Sequence, residues 1–585
     1  MIQQIRDRKP KVDFFPFQNT LPPDRLPMDA ERCSLSFESR EFSISPMSRV
    51  LPWFLALSSG LLLGLCYPPF GLGDLCWVAL VPLVWAVWFC PPAKTRDWLR
   101  TAGLGYSCGF VFFAISAHWL TTLTWPGYVL LVFYFGFYFA AWTLFAKMLL
   151  SARTGGDSWL ASLHNLRVCA LGAAGWVALE WLRGIVFPAF GWNGLGIAQH
   201  ANIALIQIAD ITGVGGISFL VAMTNLMLAV SIKRLHLELQ RGARRAHYDF
   251  AITIALVALA WTYGVRKHFQ AEPNAESLGF AAVQANIPQD VRNDPDNEIQ
   301  VLETLKNQTL PAMAMNPDLI LWPESSTPSP LLGNQFTWDL VRGLAEQYTG
   351  DFLIGTVHWG KDGDYNSIAL LTKQGKEAQL YNKIHLVPFG EYVPLRQEFP
   401  LLAKIVGDLV PADFDAGKEF TLLELQAKPV RLGPLICFED TVGDLARRFA
   451  LLGAQCFAVV TNDGWFLKSA GSRQHLNNAV FRSVENKIPM IRAANTGVTC
   501  AIDRLGVVRE VLSDSSGNTF LQGVLFGKIS APTNPKPTFF ARYGEVFSIS
   551  CLVISLLTLA ISLIRFAKNK KSSCSNHPKT KTSAP

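Results

Sequence analysis

The sequence predicts two unlike parts in one chain: an eight-helix transmembrane bundle and an α/β domain outside the lipid. Three observations carry this. Eight long apolar runs occur, seven before residue 270 and one after 545. Residues 269–540 instead alternate short β-type runs with charged helical stretches. The composition is 50% hydrophobic and 17% charged over 585 residues, whereas soluble domains average about 25% charged. Yet 52 Lys and Arg with 45 Asp and Glu are too many for lipid-embedded helices alone. Seventeen Trp and 39 Phe suit membrane interfaces and large apolar cores.

The apolar runs are 49–67, 74–91, 102–122, 128–149, 168–188, 213–232, 249–265 and 546–565. Most approach the roughly 20 residues that span hydrocarbon. The bundle therefore occupies 47–268, and 541–567 adds the eighth helix. Lys94, Arg96 and Arg100 follow the second run, Arg153 and Arg167 the fourth, and Lys233, Arg234, Arg241, Arg244 and Arg245 the sixth. The alternate connections, 123–127 and 189–212, carry no Lys or Arg. Positive charge marks the cytoplasmic side. Both termini are expected there, the basic tail 568–585 included, with the α/β domain on the opposite face. The net charge of +7 thus reads as membrane anchoring and not as a nucleic-acid surface. Residues 1–46 have no apolar signal-peptide core and read as a disordered extension, with Met28 or Met47 as alternative starts. Glu180 and Arg183, one helical turn apart, are expected to pair within the membrane. Trp192 and Asn193 read as an interfacial anchor or as the lining of a lipid access path.

In the outer domain the runs GFAAVQA, LILW, FLIGTV, SIALLT, VRLGPLICF, CFAVVTN, MIRAAN and VTCAI read as strands. Helical stretches lie near 296–315, 337–348, 441–451 and 472–487. Three segments carry chemistry. LILWPESSTP places Glu324 just after a buried strand, where α/β folds put functional groups. LYNKIHLVPFGEYVP holds Lys383, His385 and Glu391 on a Pro- and Gly-punctuated path. RLGPLICFED puts Cys437 at a strand-to-helix turn, where the helix dipole is expected to lower its thiol pKa. Cys456 and Cys500, inside apolar runs, read as inert. The 11 Cys show no C-x-x-C pair or regular spacing, so no zinc site, disulfide framework or cofactor is expected. A carboxylate that takes the thiol proton, an ammonium that stabilises an oxyanion and a thiolate that attacks a carbonyl form one working set. The apolar segment 395–410 reads as a lid at the bilayer surface or as a core helix.

WPES, YNKIHLVPFGEYVP and GPLICFED resemble the Glu-Lys-Cys motifs of the nitrilase (carbon–nitrogen hydrolase) superfamily. With the helical frame, VQANIPQ, TNDGWF, the pair Gln474-His475 and RAANTGVTCAID, the chain after residue 47 resembles the apolipoprotein N-acyltransferase family of bacterial envelopes. The resemblance implies a four-layer αββα sandwich. It implies Glu324 as general base, Lys383 as oxyanion stabiliser and Cys437 as nucleophile. Glu391 matches a second functional glutamate, and Phe438 and Glu439 flank the nucleophile, with the Phe438 N–H toward the oxyanion. It further implies a phospholipid donor, a diacylated apolipoprotein acceptor, a monomer sufficient for activity and a bacterial inner-membrane location. Asn293 stands where the family often has Trp, Phe438 where it often has Tyr, and Leu467, Lys468 and Ser472 depart from its pattern. An anchored amidase acting on small amides would use the same triad, whereas a scaffold or transporter would need none of it.

Overall fold

The computed structural model describes residues 46–93, 95–149, 158–242, 246–270, 274–372, 374–394, 396 and 413–575. The expectations for residues 1–45, for Lys94, Arg153, Arg244 and Arg245, for the apolar residues 401–410 of the expected lid and for residues 576–585 lie outside these.

The membrane half begins with helices α1 (Pro46–Leu65), α2 (Val81–Trp88), α3 (Asp97–Ser116), α4 (Trp125–Met148) and α5 (Ser158–Ile185). Next come the single turns α6 (Ile203–Ile206) and α7 (Ala209–Thr212), then α8 (Val214–Arg241) and α9 (Tyr248–His268). The terminal helix is Val546–Ser575. Among the described residues, five stretches are long and apolar enough to cross a membrane: Trp125–Met148, Trp159–Ile185, Val214–Arg241, Tyr248–His268 and Val546–Lys568. The expected run 74–91 is not one helix. It breaks into a 3-10 turn, Gly73–Trp77, and the eight-residue α2 with a proline in its first turn. Asn225 of α8 satisfies the break: its Oδ1 accepts from Leu80 N–H and its Nδ2 donates to the Cys76 carbonyl, both at 2.8 Å. Irregular backbone is tolerated in a bundle where such a side chain replaces the lost partners.

Glu180 and Arg183 form no direct ion pair. Each instead holds the connection after α5. Glu180 Oε1 accepts from Trp176 Nε1 and Leu195 N–H, and Arg183 Nη1 donates to the carbonyls of Phe190 and Trp192. The second part of that connection, 192–199, is buried against the bundle, with Trp192 2% exposed. The interfacial-anchor reading of Trp192 is thereby corrected.

The outer domain contains two six-stranded sheets among the described residues. In chain order the elements are β1 (Ala275–Gln284), α10 (Gln289–Asn293), α11 (Glu298–Ala314), β2 (Leu319–Trp322), α12 (Gln335–Glu346), β3 (Asp351–Gly360), β4 (Gly363–Thr372), β5 (Glu377–Asn382), β6 (Leu423–Glu424), β7 (Arg431–Ile436), β8 (Cys456–Thr461), β9 (Met490–Ala494), β10 (Cys500–Ile502), β11 (Val508–Val511) and β12 (Gly523–Pro532). The sheet orders are β12-β1-β2-β3-β4-β5 and β11-β10-β9-β8-β7-β6. Strands β1, β2 and β3 run parallel, as do β7, β8 and β9. Period-two patterning gives the first sheet two apolar faces. Leu319 and Leu321 join the core shared with Leu432, Leu435 and Val459 of the second sheet. Ile320 and Trp322 point the other way, onto Val301, Leu305, Val341 and Leu344 of α11 and α12.

Candidate active site

Glu324, Lys383 and Cys437 each follow the C-terminal end of a strand: β2, β5 and β7. Two come from the first sheet and one from the second. The register is tight. A Cβ on Gly355 of β3 would collide with the Pro323 carbonyl and lie 2.7 Å from Glu324 Cα. Only a glycine lets β3 pass here. Ser325 (φ 46°) and Cys437 (φ 52°) both sit in the left-handed region, which costs a residue with a Cβ and recurs at functional sites.

Lys383 is 1% exposed. Its Nζ lies 2.8 Å from Glu391 Oε1 and 3.6 Å from Glu324 Oε1. Burial alone would discharge the ammonium, but Glu391 and Glu324 outweigh it and hold the group charged above its ordinary range. Asn366 of β4 donates through Nδ2 to Glu324 Oε1 and to Glu391 Oε1, each at 2.8 Å. The second Glu391 oxygen accepts from Val387 N–H at 2.8 Å. Glu324 Oε2 is buried and has no partner. A carboxylate oxygen kept vacant in a dry pocket is suited to accept a proton from a neighbour.

Cys437 shares the electrostatic neighbourhood of Glu324 and Lys383. Its thiol pKa is raised, not lowered as the helix-dipole argument predicts. Burial pushes it up and the Glu324 charge adds to that, while Lys383 and a hydrogen bond from Thr461 pull it down. A 3-10 turn, Cys437–Thr441, separates it from the helix Gly443–Leu452, so the dipole is not aimed at the sulfur. The arrangement favours proton transfer coupled to attack over a standing thiolate.

Glu439 turns away from the pocket. Its carboxylate accepts from Tyr381 Oη (2.9 and 3.0 Å) and from the backbone N–H of Ile384, His385 and Ile436 (2.8, 3.0 and 2.8 Å). It is a buried clip that fixes the Lys383 segment to the Cys437 turn, and burial raises its pKa to about 7. Expected only to flank Cys437, Glu439 is thus held inside the fold by these contacts. The Phe438 ring stacks between His385 (5.7 Å, 19°) and Trp192 (6.5 Å, 14°), joining the Cys437 turn to the membrane half. Among the described residues no cluster of three or more His, Cys, Asp or Glu is placed to hold a metal ion.

Three contributors have partners distant in the chain: Asn366 escapes sequence reasoning altogether, and for the motif pair Gln474-His475 only the partners do. Asn366 is one. Gln474 is the second: its Oε1 accepts from Trp119 Nε1 (2.9 Å) and Asn193 Nδ2 (3.0 Å), and its Nε2 donates to the carbonyls of Pro68 and Ser116 (2.8 and 2.9 Å). All four partners belong to the membrane half. Gln474→Leu strands buried donors and acceptors, each costing about 1–3 kcal/mol. The expected result is a clear drop in apparent melting temperature in detergent, measured by scanning fluorimetry. The third is a buried charge network. His475 Nε2 lies 2.8 Å from Asp440 Oδ1, and Nδ1 lies 2.9 Å from Asp463 Oδ1. Arg492 pairs with both aspartates at 3.2 and 3.3 Å. His475 also contacts the Cys437 carbonyl at 3.3 Å.

Burial alone would lower the His475 pKa, but Asp440 and Asp463 raise it to about 9 despite Arg492. The folded protein therefore holds this proton more tightly than the unfolded chain does. The stabilisation is complete below the unfolded value of 6.5 and is lost as pH rises through about 9. The shift corresponds to roughly 3 kcal/mol. Thermal unfolding of the wild type should fall across pH 6.5–9, and the fall should shrink in His475→Gln.

Residues 280–531 match the carbon–nitrogen hydrolase family, and residues 59–227 match the apolipoprotein N-acyltransferase N-terminal domain. The first match covers the strand-end site and defines its class. The second covers most of the helical half. The chain is 32% identical to an apolipoprotein N-acyltransferase of Geobacter metallireducens over 88% of its own length and 95% of that protein. It is 30% identical to the one of Sinorhizobium medicae over 90% and 97%. A CN-hydrolase superfamily protein of Xanthomonas campestris, solved with an arsenic adduct in its active site, is similar over 44% of this chain and 91% of its own, at 18% identity and a TM-score of 0.33. The chain belongs to the apolipoprotein N-acyltransferase family.

Proposed function

We propose that this protein moves an acyl chain from a phospholipid, at sn-1, to the N-terminal amine of a diacylglyceryl-cysteine on an apolipoprotein. The observation that carries the reading is one arrangement. Lys383 is clamped between Glu391 and a Glu324 with a vacant oxygen, beside Cys437, and the nucleophile turn stacks on Trp192 of the membrane half. A soluble amidase has no use for that second feature.

The reaction is ping-pong. Glu324 Oε2 takes the thiol proton as Cys437 sulfur attacks the ester carbonyl. The Lys383 ammonium and the Phe438 N–H stabilise the tetrahedral oxyanion. The carbon–oxygen bond breaks, the lysophospholipid oxygen recovers the proton from Glu324, and a thioester remains. The acceptor amine then attacks and gives its proton to Glu324. The carbon–sulfur bond breaks, and Cys437 regains a proton from Glu324 as the amide product leaves. Glu391 keeps Lys383 in place, and Glu439 fixes the backbone around it.

The same reading sets the architecture: eight membrane helices over 47–268 and 541–567, and a four-layer αββα domain over 269–540 facing the periplasm. Both termini lie in the cytoplasm, and a monomer suffices in the inner membrane. Transfer is tested by supplying purified protein with acyl-labelled phospholipid and a diacylated lipopeptide. Label in an amide on the lipopeptide supports the proposal. Label released only as free fatty acid favours a hydrolase.

A further inference from the structure

We propose that Arg292 recognises the phosphate of the acyl donor, an inference that rests on the phospholipid reading above. Arg292 lies in α10, half-buried against the site. Its Nη1 donates to the carbonyls of Glu324 (3.2 Å) and Ser325 (3.4 Å), anchoring one corner of the guanidinium at the base. Its charge is felt by Glu324 and Cys437. Yet among the described residues no carboxylate lies within ion-pair distance, and neither Nε nor Nη2 has a protein acceptor.

The other cations of the site are committed. Lys383 is held by two carboxylates and Arg492 by Asp440 and Asp463. Arg292 Nε and Nη2 are not among the buried atoms left without a partner, so they stay open to solvent and to an incoming anion. Its planar fork matches the geometry of a phosphate.

The position agrees with a lipid source. Gln289, in the same helix, accepts from Asn462 Nδ2 at 2.8 Å. Asn462 begins the segment that displays Trp465 and Leu467, 41% and 60% exposed. Thr122 of the membrane half donates to the Trp465 carbonyl at 3.3 Å. Arg292 thus shares a helix with the residue that holds this apolar segment, and its charge is felt at Cys437. The donor's phosphorus lies five bonds from the sn-1 ester oxygen, a reach that lets the phosphodiester meet Arg292 while the sn-1 carbonyl meets Cys437.

The test compares acylation of Cys437 in full-length wild type, Arg292→Lys and Arg292→Gln in detergent. The donors are a diacyl phospholipid and p-nitrophenyl octanoate, an ester without phosphate. The expected result for Arg292→Gln is a KM for phospholipid raised about 10- to 100-fold, the span of lost charge-assisted hydrogen bonds. The KM for the ester should stay within about threefold, whatever kcat loses through the Arg292 charge at Glu324 and Cys437, with Arg292→Lys intermediate in phospholipid KM. An equal loss on both donors would mean that Arg292 only props the Glu324–Ser325 turn, and an unchanged phospholipid KM would mean no contact. Either overturns the proposal. So does inhibition by inorganic phosphate as strong as that by lysophospholipid, which would mark a free-anion site. Wild type acylated by the ester and never by phospholipid would remove the parent reading, and this one with it.

Discussion

Cys437→Ser should lower acyl transfer by about 10⁴-fold or more, the scale on which loss of a covalent nucleophile is felt. The reason lies in the pocket. Burial and the Glu324 charge already hold the thiol proton tightly, and a serine hydroxyl, intrinsically far less acidic, would hold it more tightly still. Glu324 has one vacant oxygen and no histidine relay, so it cannot activate an alcohol as a Ser–His pair does. The substitution removes no packing volume to speak of, so the apparent melting temperature should stay near the wild-type value. Steady-state transfer and scanning fluorimetry on one preparation separate chemistry from folding. Full activity in Cys437→Ser would remove the covalent mechanism.

Lys383→Met should be nearly as severe and should also destabilise. The buried ammonium neutralises Glu391 at 2.8 Å and Glu324 at 3.6 Å. Without it two carboxylates share Asn366 with no cation between them. Breaking a buried ion pair from one side costs about 3–5 kcal/mol, and losing one preorganised oxyanion donor costs about 10²–10³ in kcat. The two effects separate in a double variant. Lys383→Met with Glu324→Gln removes the repulsion, so stability should recover while activity does not.

The parts legible in sequence are those whose signal is local. Glu324, Lys383 and Cys437 stand next to strand ends with unbroken apolar patterning, and strand ends are where the fold concentrates reactive groups. For Glu439 the local signal goes no further than its place beside Cys437. Adjacency to a nucleophile says nothing about which way a side chain points, and this one points at Tyr381 and three backbone amides. Asn366 is an ordinary polar residue in sequence, and Gln474 stands out only as half of a motif pair with His475. Gln474 acts through carbonyls 358 and 406 positions away. β12 was not foreseen because its run, GVLFGKISAP, alternates polar and apolar and gains meaning only by pairing antiparallel with β1. The run 74–91 looks continuous in hydropathy, and its break becomes tolerable only through Asn225 of a different helix. The thiol pKa was misjudged because a turn intervenes between Cys437 and the following helix.

The most direct test of the account is a single-turnover reaction with acyl-labelled phospholipid and no acceptor, followed by peptide mapping. The account predicts one acyl group on the peptide bearing Cys437, released by neutral hydroxylamine as a thioester is, and transferred to the amine when diacylated lipopeptide is added. Label on another residue, or amide product formed with no acylated Cys437 on the path, would contradict it.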